Sequence, residues 1–205
     1  MTYDPLQQEA LIQAQWMKEK VFRAPFAREM TPDTPTFYML VMLPYPSGRI
    51  HMGHVRNYTL GDVVARYQRM RGKKVMHTMG WDSFGLPAEN AAIQHHIHPA
   101  VWTRKNIADM KKQIQRLGIS YDWDRELASF EPAYYRWNQW FFLQMWKRGD
   151  VFRARRNVNW CEALGTVLAN EQVVDGKDER TGHPVIQKPM EQYFFAITKY
   201  ANELV

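Results

Sequence analysis

The chain has 205 residues, of which 45% are hydrophobic and 23% are charged. This length and composition allow one substantial core and exclude a disordered tail. The 27 Lys and Arg residues outnumber the 21 Asp and Glu residues, and the resulting net charge of +6 is compatible with a polyanionic partner without identifying one. Cys161 is the only cysteine, which excludes an intramolecular disulfide and a cysteine-rich zinc cage and favours a reducing compartment.

The N-terminal segment predicts a helix rather than a targeting sequence. Acidic residues interrupt its apolar ones, and no run of 18 apolar residues occurs anywhere in the chain. Residues 6–22 carry one apolar stripe at helical spacing, formed by Leu11, Ala14, Met17 and Val21. We therefore expect a cytoplasmic protein without a membrane partner, whose first helix packs through this stripe.

A strand, a helix and a second strand follow in the order of a βαβ unit. Residues 37–43, FYMLVML, form a continuous apolar run, as expected of a strand that is covered on both faces. Apolar spacing predicts a helix over 54–71, and residues 75–82, VMHTMGWD, predict the next strand. The predicted fold class is α/β: the first half of a doubly wound parallel sheet.

The rest of the chain predicts more helices and then a small β appendage. Gly-containing turns separate three strand-like segments between 151 and 193, which indicates antiparallel pairing. The predicted helices lie at 87–96, 99–117 and 133–148. The predicted domains are 1–150 for the α/β domain with its N-terminal helix, 151–193 for the appendage, and 194–205 for a final helix.

The turn before the second helix carries the residues with the most distinctive chemistry. It lies in MLPYPSGRIHMGHVRNYTLGD, residues 42–62, where ligands bind beyond the carboxyl ends of parallel strands. Gly48 and Gly53 permit a close approach of the backbone, and His51 and His54 stand one helical turn apart. Fixed imidazole donors would stabilise charge developing on a phosphate. The alternative is that both histidines are solvated or capping residues.

The string HMGH, residues 51–54, resembles the HIGH signature of class I aminoacyl-tRNA synthetases. The longer segments 42–75 and 80–92 resemble the leucyl-tRNA synthetase family, as do YDWDRELASFEPAYYRWNQWFF, NWCEALGTVLANEQVVDG and YFFAITKYANEL further on. The resemblance covers nearly the whole chain. It implies a Rossmann-like, HUP-type catalytic domain that activates leucine with ATP and Mg²⁺ and passes the leucyl group to tRNA(Leu).

The resemblance also implies roles for individual residues. His51 and His54 would be catalytic, contacting the ATP phosphates, and Gly53 would leave room for the adenine. The implied ATP-binding residues are Pro46, Ser47, Gly48, His51, Met52, Gly53 and His54. The implied leucine-binding residues are Met42, Leu43, Tyr45 and Asp82. Asp82 would pair with the ammonium group of leucine, since a buried ammonium needs a charged partner. The alternatives are an N-cap role for Asp82 and simple packing for Tyr45.

Structural zinc is not expected, although many members of this family hold one in the appendage. Cys161 stands at the position of a first ligand, but EALG and KDERTGH replace the expected partners. Cys161, His183 and distant acids do not have the spacing of a closed site. The run HHIH, residues 95–98, is interpreted as a solvated helix end rather than a metal site.

Two further segments each allow two interpretations. The aromatic run YYRWNQWFFLQMW could stack bases, but helical spacing favours a core role for the stripe formed by Trp137, Trp140, Phe141 and Met145. The run FRARRNVNW, residues 152–160, could contact phosphates of a tRNA acceptor end or could be a β edge protected by charge.

The second nucleotide-binding motif of the class, KMSKS, does not occur in these residues. The expectation is therefore an N-terminal fragment of a catalytic domain that is inactive alone and has exposed apolar surface that favours self-association. The alternative is a stand-alone paralogue that binds leucine or a nucleotide without catalysis.

Overall fold

The computed structural model describes residues 4–204. The helices are α1 Pro5–Glu19, α2 Met52–Met70, α3 Leu86–His95, α4 Pro99–Arg116 and α5 Pro132–Lys147. The strands are β1 Thr36–Met39, β2 Lys74–His77, β3 Gly80–Trp81, β4 Leu127–Ala128, β5 Val151–Cys161, β6 Thr166–Leu168, β7 Val173–Val174, β8 Lys177–Asp178 and β9 Ile186–Phe195. The chain divides into two compact units, with the boundary in the sequence between Tyr135 and Arg136. The predicted boundaries of three domains stay predictions.

The first unit is built on parallel strands, and the predicted βαβ unit is confirmed. β1 pairs in parallel with β2, with α2 between them in the chain, and β3 pairs in parallel with β4. Because β2 leads directly into β3, residues 74–81 pair with β1 at their start and with β4 at their end. The backbone N–H of Asp122 donates to His77 O at 2.8 Å, and that of Asp82 donates to Pro44 O at 3.0 Å.

The core of the first unit lies where α2 and α4 cover this sheet. Its buried members are Val41, Tyr58, Met79, Trp81, Met110, Ile114, Ile119 and Tyr121. Gly61 allows α2 to approach the end of β1, because a Cβ atom at this position would lie 2.4 Å from Cγ1 of Val41. This close packing fixes the helix that begins at the two histidines.

The predicted burial of residues 37–43 on both faces is wrong. Regular pairing ends at Met39, and Tyr38, Leu40 and Met42 are 53%, 65% and 61% exposed, whereas Val41 is 6% exposed. The alternation has a physical reason: α2 packs against the side of Val41, and the described residues leave the opposite side open.

The predicted contact stripe of the first helix is also wrong. Leu11, Met17 and Val21 are at least 50% exposed, and Ala14 is exposed as well. α1 instead contacts the unit through Trp16, whose ring lies 5.2 Å from that of Phe22 and from the guanidinium of Arg66. Gln13 Nε2 donates to Arg116 O at 3.2 Å. Aromatic and cation–π contacts therefore replace aliphatic packing.

The second unit contains the predicted antiparallel appendage. β5 pairs with β9 from Val151 opposite Phe195 to Trp160 opposite Ile186, and β6 joins β5 at residues 159–161. The helix predicted from 194 is instead the end of β9 followed by a 3₁₀ helix, Ile197–Glu203, while Val205 lies outside the described residues.

The core interpretation of the aromatic stripe in α5 is wrong for three of its four residues. Trp137, Trp140 and Phe141 are 54%, 48% and 58% exposed. α5 packs on the appendage through the neighbouring stripe, where Phe142 and Trp146 lie 5.2 and 5.5 Å from the ring of Tyr193. None of the helices between residues 4 and 204 combines the length and apolar character needed to cross a membrane.

Candidate active site

The candidate site lies where the chain leaves β1 and enters α2, beyond the carboxyl ends of the parallel strands. Residues 40–51 connect β1 to α2, and the second part of this connection, residues 44–51, is called the histidine loop. Gly48 in this loop has φ +135°, a conformation that favours glycine. The hydrogen bond from Asp82 N to Pro44 O places the residue after β3 beside the start of this loop. The structure thus brings the histidine loop and Asp82 to one edge of the sheet.

The two histidines cap the start of α2 reciprocally. His51 is the N-cap residue, and its Nδ1 accepts from the backbone N–H of Gly53 at 3.1 Å. The backbone N–H of His51 donates to Nδ1 of His54 at 3.2 Å, and the ring centroids are 3.9 Å apart. The capping alternative is therefore correct for the Nδ1 atoms.

Capping leaves the other ring nitrogens for chemistry. Because each Nδ1 accepts a hydrogen bond, each neutral imidazole carries its proton on Nε2. Among the described residues, neither Nε2 has a hydrogen-bond partner, and Nε2 of the buried His54 is not a fully enclosed atom. Burial lowers the pKa of His54 from 6.5, and the neighbouring His51 lowers it further. His54 is therefore a neutral N–H donor at pH 7.

Gly53 makes room for the ring of His51. A Cβ atom at Gly53 would lie 2.9 Å from Cε1 and 3.0 Å from Nδ1 of His51. The absence of a side chain therefore lets the imidazole fold over the first turn of α2. The predicted space for an adenine at Gly53, and the predicted ATP contacts of Pro46, Ser47, Gly48 and Met52, stay predictions.

Tyr45 completes the first turn of α3, in addition to any contact with a ligand. Its hydroxyl oxygen accepts from the backbone N–H of Ala88 at 2.8 Å, where the N-cap residue Gly85 has no side chain to offer. Burial raises the pKa of Tyr45, and the negative charge of Asp82 adds to this effect. Tyr45 and Asp82 therefore lie close enough to interact electrostatically.

The carboxylate of Asp82 is available for a ligand. Its side chain is exposed and has no hydrogen bond or ion pair with any other described residue. The N-cap alternative is wrong, because the N-cap residue of α3 is Gly85, three residues after Asp82. Leu43 is half-buried and touches Gly80, whereas Met42 is on the exposed face. The two side chains therefore do not line the same side of a leucine pocket. Their leucine-binding roles stay predictions.

An open cleft of about 220 Å³ adjoins the first turn of α3. Phe84, Phe130 and Tyr135 give it aromatic walls, and Glu89 and His98 give it polar groups. It contains none of the predicted site residues. Cys161 is buried and free, and among residues 4–204 no three His, Cys, Asp or Glu side chains cluster as metal ligands would.

The sequence does not predict the buried polar cluster beneath the site. His77 is fully buried, with both ring nitrogens unpartnered in the described part of the chain, and its ring lies 4.3 Å from that of Tyr121. Burial is the main cause that lowers the pKa of His77 to about 4; the charge of Asp62 opposes this shift, and the charges of Arg69 and Arg66 contribute to it. The ring is therefore neutral in the folded protein at pH 7.

We predict that His77 makes the fold sensitive to acid. Its pKa is about 4 when folded and 6.5 when unfolded, so between these values the unfolded chain binds more protons and stability falls as pH falls. The loss reaches about 3 kcal/mol by pH 4. Urea unfolding at pH 7, 5.5 and 4 should show this extra slope in the wild type relative to His77→Leu. Parallel pH profiles for the two proteins would contradict the assignment.

A parallel α/β sheet with two histidines at the start of the helix that follows its first strand is the architecture of a Rossmann-like α/β domain. The chain belongs to the family described as tRNA synthetases class I (I, L, M and V), whose sequence model matches residues 11–205. The predicted resemblance to leucyl-tRNA synthetases is confirmed by curated relatives. These include leucine–tRNA ligase subunit alpha of Aquifex aeolicus (56% identity) and leucine–tRNA ligase of Thermotoga maritima (54% identity).

Each of these two relatives aligns over 203 residues and 99% of this chain, which spans only 31% and 24% of their lengths. Among solved structures, a ternary complex of Agrobacterium radiobacter K84 LeuRS with tRNA and LeuAMS matches 99% of this chain and 25% of that one. The TM-score of this match is 0.88, at 43% identity. Mycobacterium tuberculosis methionyl-tRNA synthetase with methionyl-adenylate, at 24% identity and a TM-score of 0.65, shares the fold over 83% of this chain and 34% of its own.

Proposed function

We propose that this chain supplies the nucleotide- and leucine-binding half-site of a leucine–tRNA ligase. In this reaction the carboxylate of leucine attacks the α-phosphorus of ATP, and leucyl-adenylate and pyrophosphate form. The leucyl group then passes to tRNA(Leu). The observation that carries the proposal is the pair of capped imidazoles with free Nε2 donors at the start of α2. The relatives named as leucine–tRNA ligases, and the neighbour bound to tRNA and LeuAMS, support the choice of substrates.

The arrangement of the histidines suits the transition state of this step. Negative charge grows on the oxygens around the pentavalent α-phosphorus, and donors that are already oriented stabilise it without reorganisation. The reciprocal caps hold both rings before any ligand arrives. A neutral His54 donates through Nε2 without needing a proton from solvent. ATP would enter with Mg²⁺ bound to its phosphate oxygens.

Asp82 would hold the ammonium group of leucine. Its exposed carboxylate follows β3 beside the histidine loop and has no competing cation among the described residues. We predict that Asp82→Asn weakens leucine binding by about 2 kcal/mol, or about 30-fold, because the amide keeps the size but loses the charge. In a T. maritima ligase whose matched segment is replaced by this chain, the KM for leucine should rise with little change in the KM for ATP. An unchanged leucine saturation curve would contradict this role.

The test of the proposed function uses a grafted enzyme. In the T. maritima ligase, the matched segment is replaced by this chain, and leucine-dependent exchange of pyrophosphate into ATP is measured. We expect the graft to be active and the 205-residue chain alone to give no exchange. An inactive graft that is folded and binds tRNA would overturn the proposal. It would favour the alternative of a non-catalytic paralogue, which the identity of 54–56% to the two ligases does not favour.

Two properties accompany this proposal. The expected compartment is the cytoplasm, where tRNA is charged. Self-association of the chain is expected because Trp137, Trp140 and Phe141 in α5 and Tyr38 and Leu40 in the first unit are exposed. Sedimentation velocity over a range of concentrations measures this association directly.

A further inference from the structure

We propose that Asn106 and Gln113 of α4 are positioning residues that set the geometry of the histidine loop. This inference rests on the proposed function, because it assigns the two side chains a part in aligning His51 and His54 for the nucleotide. Neither residue touches the reacting atoms in this proposal. Both act through the backbone of residues 46–50.

The two side chains bond to opposite ends of the same short segment. Asn106 Nδ2 donates to the carbonyl oxygen of Pro46 at 3.0 Å, and the backbone N–H of Ile50 donates to Gln113 Oε1 at 2.9 Å. Asn106 and Gln113 are seven residues apart, two turns of α4, and so they lie on one face of the helix. One helix thus contacts residues 46–50 at the first carbonyl and at the last amide of this segment.

Apolar packing holds the two ends of this segment, since Pro46 is fully buried and Ile50 packs against the core cluster, but few other hydrogen bonds hold its backbone. The other hydrogen bond found for residues 46–50 within the described chain is local, from Ser47 N to Tyr45 O at 2.8 Å. Gly48 adds freedom because it has no side chain to restrict its φ of +135°. Without the two contacts from α4, the backbone of this segment would lose its hydrogen bonds to the core and keep only the packing of Pro46 and Ile50.

The effect of Gln113 reaches the histidines through one residue. Ile50 precedes His51, so the bond at Ile50 N fixes the peptide group between Arg49 and Ile50, one residue before the N-cap residue His51. The backbone N–H of His51 in turn holds Nδ1 of His54. A shift of Ile50 therefore moves both imidazoles together, and their Nε2 atoms with them.

The placement of Asn106 agrees with a specific role. Its side chain is 4% exposed and lies in the buried stripe of α4 with Met110 and Ile114, where an apolar residue would be the ordinary choice. A buried amide is tolerated when it is hydrogen-bonded. The polar requirements of the two positions are opposite: position 106 must donate, and position 113 must accept.

Because one position needs a donor and the other an acceptor, variants can test the positioning role separately from a general loss of stability. In the full chain, labelled with ¹⁵N at histidine and backbone, Gln113→Met removes the acceptor at constant size, and Gln113→Glu keeps it. We expect Gln113→Met to move the ring-nitrogen signals of His51 and His54 and the amide signal of Ile50, and Gln113→Glu to restore them. At position 106, where a donor is needed, both Asn106→Leu and Asn106→Asp should move these signals.

Binding provides the second readout. Calorimetry with a leucyl-sulfamoyl-adenosine probe should show at least about 10-fold weaker binding for Gln113→Met and about wild-type binding for Gln113→Glu. Gln115→Met is the matched control on the same helix, because the side chain of Gln115 has no hydrogen bond among the described residues, and it should change neither readout. Thermal unfolding of every variant accompanies both measurements.

The outcomes separate the inference from the proposed function. Unmoved histidine signals in Gln113→Met, or equal shifts in Gln113→Met and Gln113→Glu, would overturn the positioning role. If the wild-type chain and the wild-type graft both fail to bind the probe, the proposed function fails, while the histidine signals still decide whether α4 positions the loop. If Asn106→Leu does not fold, the comparison of Gln113→Met with Gln113→Glu at the half-buried position 113 still tests the positioning role.

Discussion

His54→Asn in the grafted ligase is expected to lower kcat for leucine-dependent pyrophosphate exchange by about 10² to 10³-fold. Asn places its side-chain oxygen near the position of Nδ1, where it still accepts from the backbone N–H of His51. It leaves no donor at the position of Nε2. Thermal unfolding should therefore stay near that of the unsubstituted graft, while the chemical step is lost.

His54→Gln is the reciprocal variant. Its amide nitrogen reaches the position of Nε2, but no acceptor remains for the N–H of His51. We expect partial activity and a loss of stability of about 1 kcal/mol, the usual effect of losing an N-cap partner. The opposite rank order of activity and stability in the Asn and Gln variants separates the donor role from the capping role.

A matched control for His54→Asn is available on α4. His98 is the N-cap residue of that helix, and its Nδ1 accepts from the backbone N–H of Ala100 at 3.1 Å, much as His51 caps α2. His98→Asn should leave exchange unchanged, since a capping histidine alone does not make a phosphate site. Full activity in His54→Asn would show that Nε2 of His54 has no part in the reaction.

The elements that the sequence predicts correctly are those whose patterns are local. The βαβ unit follows from an apolar run, a helical period and a turn, and the antiparallel pairing of β5 with β9 follows from Gly-containing turns. The histidine pair is predictable because His51 and His54 are three residues apart, within the range over which helix geometry fixes the separation of side chains.

The choice of buried face is less predictable, because it depends on distant neighbours. In α1 the aliphatic stripe is exposed and Trp16 makes the contact, while in α5 the stripe of Phe142 and Trp146 packs and that of Trp137 stays open. Helical spacing shows that a stripe exists. Which of two adjoining apolar stripes meets the rest of the fold depends on surfaces that the local sequence does not contain.

The supports of the site are the hardest to predict. Tyr45 bonds to Ala88, and Asn106 and Gln113 bond to a loop 60 and 63 residues earlier in the chain. The sequence does contain one clue, because Asn106 places an amide in the helical period of α4 that also holds Met110 and Ile114. A polar residue at such a position needs a partner, but the pattern does not identify that partner.

Asp62 interrupts the buried face of α2 in the same way, and Asp62→Ala is expected to destabilise the chain by about 3 to 5 kcal/mol. The carboxylate is 8% exposed and accepts from the backbone N–H of Ser120 at 2.7 Å, from the Ser120 hydroxyl, and from Arg66 Nε at 2.7 Å. Alanine leaves the fully buried N–H of Ser120 without its partner and removes the counter-charge of Arg66.

Urea unfolding at pH 7 measures this loss, and Asp109→Ala is the control. Asp109 forms an exposed ion pair with Lys105 at 3.7 Å, which contributes at most about 0.5 kcal/mol. A double-mutant cycle then identifies the contact: if Asp62 acts through Ser120, the effect of Ser120→Ala should be much smaller in Asp62→Ala than in the wild type. Additive effects, or a loss below about 1 kcal/mol for Asp62→Ala, would show that α2 is anchored by its apolar contacts instead.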